Sequence, residues 1–175
     1  MRCFIAIEIP EDIKSKIEEF LTPLRSVNSN NKIKWVDSRN IHLTWQFIGE
    51  LDFNSVAELK KSLAQIKFAP FEIGFDNKLS FFPNQFRPNV IKLDVVDQRG
   101  ELKRINSLIR EQLDKIKIEY DRKPFLAHIT LGRIKYFSGD FKRLILPSFL
   151  SFTVDRFDLY CSDLTADGPI HTKLT

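Results

Sequence analysis

Glycine and cysteine are both scarce in this 175-residue chain, at 6 and 2 residues. So few glycines leave no Gly-rich phosphate loop and no dinucleotide fingerprint. Cys3 and Cys161 are too few for a disulfide framework and lack metal-ligand spacing, so both are expected as buried free thiols in a reducing compartment. There is no His-Glu-x-x-His, and no nucleophilic-lysine motif of the kind used by nucleotide-dependent ligases. No apolar run is long enough to span a bilayer, and no basic-then-apolar leader precedes the first strand-like run. A cytoplasmic chain with no membrane partner is the expectation. Only three histidines are present. A metal site built from His42, His128 and His171 is set aside, because spacing places no carboxylate to support it. The expected cofactor list is empty.

What is abundant is phenylalanine, at 16 residues, which argues for a well-filled aromatic interior. A hydrophobic fraction of 43% with 29% charged residues describes a globular protein. Net charge of +4 permits an anionic partner without demanding nucleic acid. The length suits one domain, residues 1–175, made of two interleaved lobes.

Periodicity supplies the elements. Met1 to Ile9 alternates like a strand. Pro10-Glu11-Asp12 then opens a helix with its apolar stripe at Ile13, Ile17, Phe20, Leu21 and Leu24. Ser29 to Asn31 reads as a turn and Lys32 to Val36 as a strand. A second helix over Val56, Leu59, Leu63 and Ile66 is expected behind a Ser55/Glu58 capping box. Phe71 to Phe82 and Val90 to Val95 read as paired strands around the loop 83–89. A third helix carries Leu102, Ile105, Ile109, Leu113 and Ile116, followed by a short strand around Ile118. Ser138 to Leu146 reads as a short helix or loop. Strands are expected over Phe149 to Phe157, Leu159 to Leu164, and Ile170 to Leu174 after a Gly168-Pro169 turn. Mixed elements without strict alternation give an α+β class.

Two of the three histidines lie in near-copies of one motif, Ile41-His42-Leu43-Thr44-Trp45-Gln46-Phe47 and Ala127-His128-Ile129-Thr130-Leu131-Gly132. Thr occupies 7 positions of 175, so two such His-x-Thr hits by chance are roughly a half-percent event. Period-2 geometry sets His42 and Thr44 on one strand face, with Ile41, Leu43, Trp45 and Phe47 on the core face. The same parity separates His128 and Thr130 from Ala127, Ile129 and Leu131. Two such strands brought together supply two proton-transfer groups and two neutral hydrogen-bond donors. Such a set suits acid–base chemistry on a phosphate. The halves echo each other beyond the motifs, since Lys32-Ile33-Lys34-Trp35 precedes one and Lys117-Ile118-Glu119-Tyr120 the other. A worn duplication about a pseudo-twofold axis is implied.

At these residues the chain resembles the two-histidine phosphoesterases, in particular the LigT-like or ThpR-type RNA 2′,3′-cyclic phosphodiesterases. The resemblance also rests on Phe4-Ile5-Ala6-Ile7, on Trp35-Val36 through Asn40-Ile41, and on Phe47-Ile48-Gly49-Glu50. Phe82-Pro83 with Arg87-Pro88, and Arg133 after the second motif, complete it. It implies a bilobal fold of two antiparallel sheets with outer helices flanking a cleft. The implied reaction is metal-free hydrolysis of an RNA terminal 2′,3′-cyclic phosphate to a 2′-phosphate, with reversible 2′–5′ RNA ligation in some relatives. The implied partners are RNA ends or nucleotides bearing that cyclic phosphate, tRNA fragments among them, met by a monomeric chain. By resemblance His42 is the proton donor and His128 the proton acceptor; spacing alone does not assign them. Thr44 and Thr130 would donate to the non-bridging oxygens. Resemblance turns Arg133 toward the phosphate, whereas strict alternation turns it to the core. A bulge at Gly132 or a strand end there reconciles the two.

Two departures stand out: Ala127 replaces the family's usual proline, and His171 stands where relatives often carry tyrosine. His171 is expected at the surface, with the cleft rim as the other reading. Phe82 and Phe86 are expected to pack in the core, with stacking on a base at the cleft edge, beside Arg87, as the other reading. The competing functions are a phosphodiesterase for a small cyclic nucleotide or ADP-ribose cyclic phosphate, and a non-catalytic RNA- or nucleotide-binding module.

Overall fold

A computed structural model gives the fold and describes residues 1–146, 150–165 and 168–174. In chain order the elements are β1 (Arg2–Glu8), α1 (Glu11–Val27), β2 (Lys32–Trp35), β3 (His42–Glu50) and α2 (Phe53–Leu63). There follow β4 (Phe71–Phe82), β5 (Val90–Val96), α3 (Glu101–Lys115), β6 (His128–Tyr136), β7 (Ser151–Val154), β8 (Asp158–Thr165) and β9 (Gly168–Lys173). None of these helices is long and apolar enough to cross a membrane.

Each helix forms where apolar residues recur at helical spacing and buries that stripe. Ile13, Ile17, Leu21 and Leu24 do so on α1, and Ile105, Ile109 and Leu113 on α3. Four local expectations are corrected. Asp52, not Ser55, caps α2: its carboxylate accepts the Ser55 N–H at 2.7 Å, so the helix starts three residues earlier. No strand forms around Ile118. That segment tucks its side chain into the core, and the Ile118 N–H donates to Leu113 O at the end of α3 at 3.0 Å rather than to a strand. The strand expected from Phe149 shortens to β7, and Phe149 itself lies outside the described residues. Gly168 and Pro169 begin β9 rather than forming the turn before it.

The strands form one curled sheet in the order β7-β4-β5-β6-β3-β1-β8-β9, with β2 pairing the far end of β6. Two four-strand groups, β9-β8-β1-β3 and β7-β4-β5-β6, mirror each other about a β3–β6 junction. That junction rests on a single antiparallel bridge, Leu43↔Ile129. The two sheets of the expected architecture are therefore halves of one hydrogen-bonded surface. Leu43 and Ile129 are fully buried beneath the junction, and each contributes about 1.5–3 kcal/mol by leaving water.

Helices interleave the halves. α3 follows β5 but locks onto β3: Trp45 Nε1 donates to Leu102 O at 2.8 Å, and Asn106 Nδ2 donates to Trp45 O at 2.9 Å. α1 follows β1 but reaches the other half. Its Arg25 lies over Trp35 of β2, and Asn28 just beyond it exchanges two 2.8 Å hydrogen bonds with the Lys142 backbone. Cys3 and Cys161 face each other across β1 and β8 as buried free thiols, and burial pushes Cys3 up, keeping it protonated.

Candidate active site

The Leu43↔Ile129 register, extended one residue each way, sets His42 opposite Thr130 and Thr44 opposite His128. All four side chains stand on the face opposite the buried Leu43 and Ile129. The two motifs, 86 positions apart in the chain, meet crosswise on adjacent strands.

Both imidazoles are oriented by the same device. His42 Nδ1 lies 2.7 Å from Asn40 O, and His128 Nδ1 lies 2.7 Å from Leu126 O. A carbonyl oxygen only accepts, so Nδ1 carries the proton in each ring and Nε2 is left for the cleft. Burial is the main cause that brings His42 down from 6.5 to about 4; the Asn40 carbonyl opposes it, and His171, His128 and Lys14 add to the lowering. In the free protein His42 is therefore neutral at pH 7.

A bulge follows each threonine. Ala6 pairs with Thr44 and Ile5 with Gln46, so Trp45 is the extra residue on β3; Lys92 pairs with Thr130 and Ile91 with Gly132, so Leu131 is extra on β6. Each bulge flips the alternation that follows. Arg133 consequently emerges on the same face as His128 and Thr130, exposed and beside Lys34 of β2. Strict alternation fails here, and a bulge of the expected kind places this arginine on the cleft face. The same flip corrects Phe47, expected in the core but 52% exposed on the cleft face, while Gln46 takes the buried position.

Other placements also differ from expectation. His171 is half-buried in the cavity wall beside His42 rather than on the open surface. Its ring meets His42 edge-on at 5.2 Å and Phe4 at 5.0 Å, and its Nδ1 is buried with no hydrogen-bond partner among the described residues. Phe82 and Phe86 are 55% and 78% exposed rather than packed in the core. Residues that sequence reasoning missed flank the histidines on the next strands out: Glu8 opposite His42 on β1, and Asp94 opposite His128 on β5. Each carboxylate faces a lysine, Glu8 with Lys14 at 3.8 Å and Asp94 with Lys92. Their signal was the polar phase of otherwise apolar strands. A cavity of about 230 Å³ opens beside His42, with Phe4, Glu8, Lys14, Tyr160 and His171 in its wall.

Comparison with known proteins gives a consistent result. The family described as LigT like Phosphoesterase matches residues 7–92 and again residues 93–171. An RNA 2′,3′-cyclic phosphodiesterase of Archaeoglobus fulgidus is 33% identical over 99% of this chain and 98% of its own. One of the same name from Thermotoga maritima is 31% identical over 99% of this chain and 93% of its own. Among solved structures, a Thermus thermophilus protein superposes with a TM-score of 0.85 at 26% identity, covering 100% of this chain and 96% of that one.

Proposed function

Because the chain belongs to the LigT-like phosphoesterase family, we propose that it hydrolyses the terminal 2′,3′-cyclic phosphate of RNA to a 2′-phosphate. The carrying observation is the crosswise meeting of the two His-x-Thr motifs on one face of the β3–β6 junction. In this reading His128 Nε2 takes a proton from water, whose oxygen attacks phosphorus. The P–O3′ bond breaks, and His42 Nε2–H protonates the departing O3′. Proton exchange with solvent resets both rings. Thr44 and Thr130 donate to the non-bridging oxygens, where charge grows in the transition state, and Arg133 adds a cation at the same face. His42 is neutral in the free protein, so the acid role requires the incoming phosphate anion to restore its proton. The histidines and threonines contain the whole acid–base set, so no metal is part of the mechanism.

Ligation is included as a parallel displacement. An RNA 5′-hydroxyl replacing water at the same phosphorus yields a 2′–5′ linkage when two ends are held together, and water's abundance favours hydrolysis. The chain is proposed to act as a monomer in the cytoplasm on RNA ends such as tRNA fragments; the paired free thiols Cys3 and Cys161 support a reducing setting.

The test is incubation with an oligonucleotide bearing a 2′,3′-cyclic phosphate. A 2′-monoester product, unaffected by chelator and lost in His42→Ala and in His128→Ala, is expected. Turnover that survives both substitutions refutes the reading.

A further inference from the structure

From Val90 to Asp94, β5 alternates: Ile91 and Leu93 are fully buried, while Lys92 and Asp94 project from the opposite face. That is the cleft face. Lys92 pairs directly with Thr130 and Asp94 directly with His128, and the lysine ammonium is bound to the Asp94 carboxylate between them. Only 13% of the Lys92 side chain is exposed. Ser80, across from Lys92 on β4, extends a polar row Ser80–Lys92–Thr130 over three strands to the reacting centre. The equivalent position in the other half, opposite Thr44, is the buried Ala6, so strand packing does not demand a cation there.

We propose that Lys92 is a phosphate-contacting residue of this site, kept in place by Asp94 until a phosphate displaces it. The inference rests on the proposed reaction at His42 and His128. Directly opposed side chains in an antiparallel pair lie about 5 Å apart at Cβ, so a lysine reaches whatever Thr130 touches. A cyclic phosphodiester carries one negative charge. The five-coordinate transition state and the monoester product carry about two, held on the non-bridging oxygens. A cation beside Thr130 therefore binds transition state and product more strongly than substrate. Asp94 competes for the same ammonium. It prevents an unpaired buried charge in the empty site and weakens the hold on product, which favours release.

This arrangement makes a prediction that a structural ion pair does not. Breaking a structural pair from either end harms the protein in the same direction. Here the two ends oppose each other. The probe is adenosine 2′-monophosphate, titrated by calorimetry and used as a competitive inhibitor. Lys92→Met is expected to raise its Kd by about 10- to 100-fold, the loss of one charge-assisted hydrogen bond, and Lys92→Arg to restore most of it. Asp94→Asn is expected to lower the Kd several-fold. If Lys92→Met does not fold, Lys92→Gln keeps a polar end against Asp94 and is expected to show the same loss. Shifts of the same sign in the Lys92 and Asp94 variants, or a Lys92→Met or Lys92→Gln Kd within twofold of the parent, overturn the proposal. Turnover of the cyclic substrate by the unsubstituted protein is measured alongside. Its absence defeats the proposed reaction, whereas the signs of the binding shifts judge Lys92 separately.

Discussion

Acid destabilises this fold through His42. Burial holds its native pKa at about 4 against 6.5 in an unfolded chain. Between those values the unfolded chain binds a proton that the native protein refuses, so acid favours unfolding. The stability His42 contributes is complete above pH 6.5 and is lost as pH falls toward 4. At 1.36 kcal/mol per pKa unit the full loss is at most about 3 kcal/mol, of which about 2 kcal/mol is gone by pH 5. His171 is lowered by burial too and acts in the same direction. Urea unfolding at pH 7.5 and pH 5.0 measures this. The parent is expected to lose about 2 kcal/mol more than His42→Gln over that interval. Equal losses in the two proteins refute the burial argument. The functional counterpart is an NMR titration of His42 with and without adenosine 2′-monophosphate. A dianion beside the ring stabilises imidazolium, so the bound-state pKa is expected to rise. A titration unmoved by the nucleotide leaves His42 without the proton that an acid must deliver, and the roles of the two histidines then exchange.

Three further outcomes are expected. In a substrate whose 3′ bridging oxygen is replaced by sulfur, the leaving thiolate needs no proton, so His42→Ala is expected to regain turnover while His128→Ala stays inactive; rescue of both or of neither removes the acid assignment. Asn106 donates from a buried position to the carbonyl of the bulged Trp45, and Asn106→Leu strands that carbonyl at a cost of about 1–3 kcal/mol, read as a lower unfolding midpoint. At Gly132 an added methyl would sit 3.0 Å from Ile33 Cγ2 and 3.1 Å from Trp35 Cε3, so Gly132→Ala is expected to cost about 1–3 kcal/mol and to lower turnover by displacing the strand that carries His128 and Arg133; full stability and activity in that variant contradict the packing.

Most of the site was legible from parity. His42, Thr44, His128 and Thr130 follow simple alternation because they precede the bulges, and their shared face needs only a period of two. Phe47 was misread because it follows one. A bulge is a pairing event between strands, visible only when Thr44 and Gln46 are seen against Ala6 and Ile5. Arg133 lies five residues after its histidine, as Phe47 does, and the same irregularity turns it. His171 was misread for another reason. It belongs to β9, which joins the cleft only through β8 and β1, and that adjacency has no trace in local composition. Glu8, Lys92 and Asp94 were within reach of the same alternation argument, applied to strands that carry no motif. The Ser55/Glu58 box lost to Asp52 because a carboxylate one turn upstream offers the same cap and extends the helix.

The divergence between the halves bears on a problem that symmetry creates. Two identical imidazoles around one phosphorus would protonate either ring oxygen and could not select O3′ over O2′ as the leaving group. The flanking residues break that equivalence. Five residues past the histidine stands Phe47 in one half and Arg133 in the other; opposite these lie Phe4 and Val90; opposite the threonines lie Ala6 and Lys92. One half is thereby aromatic, with Phe4 stacked on Tyr160 at 5.4 Å and edge-on to His171. The other gathers Lys34, Lys92 and Arg133. A flat nucleoside and a charged phosphoryl group favour opposite walls of such a cleft. The substrate then enters in one orientation, and in the proposed reaction that orientation decides which histidine meets the leaving oxygen.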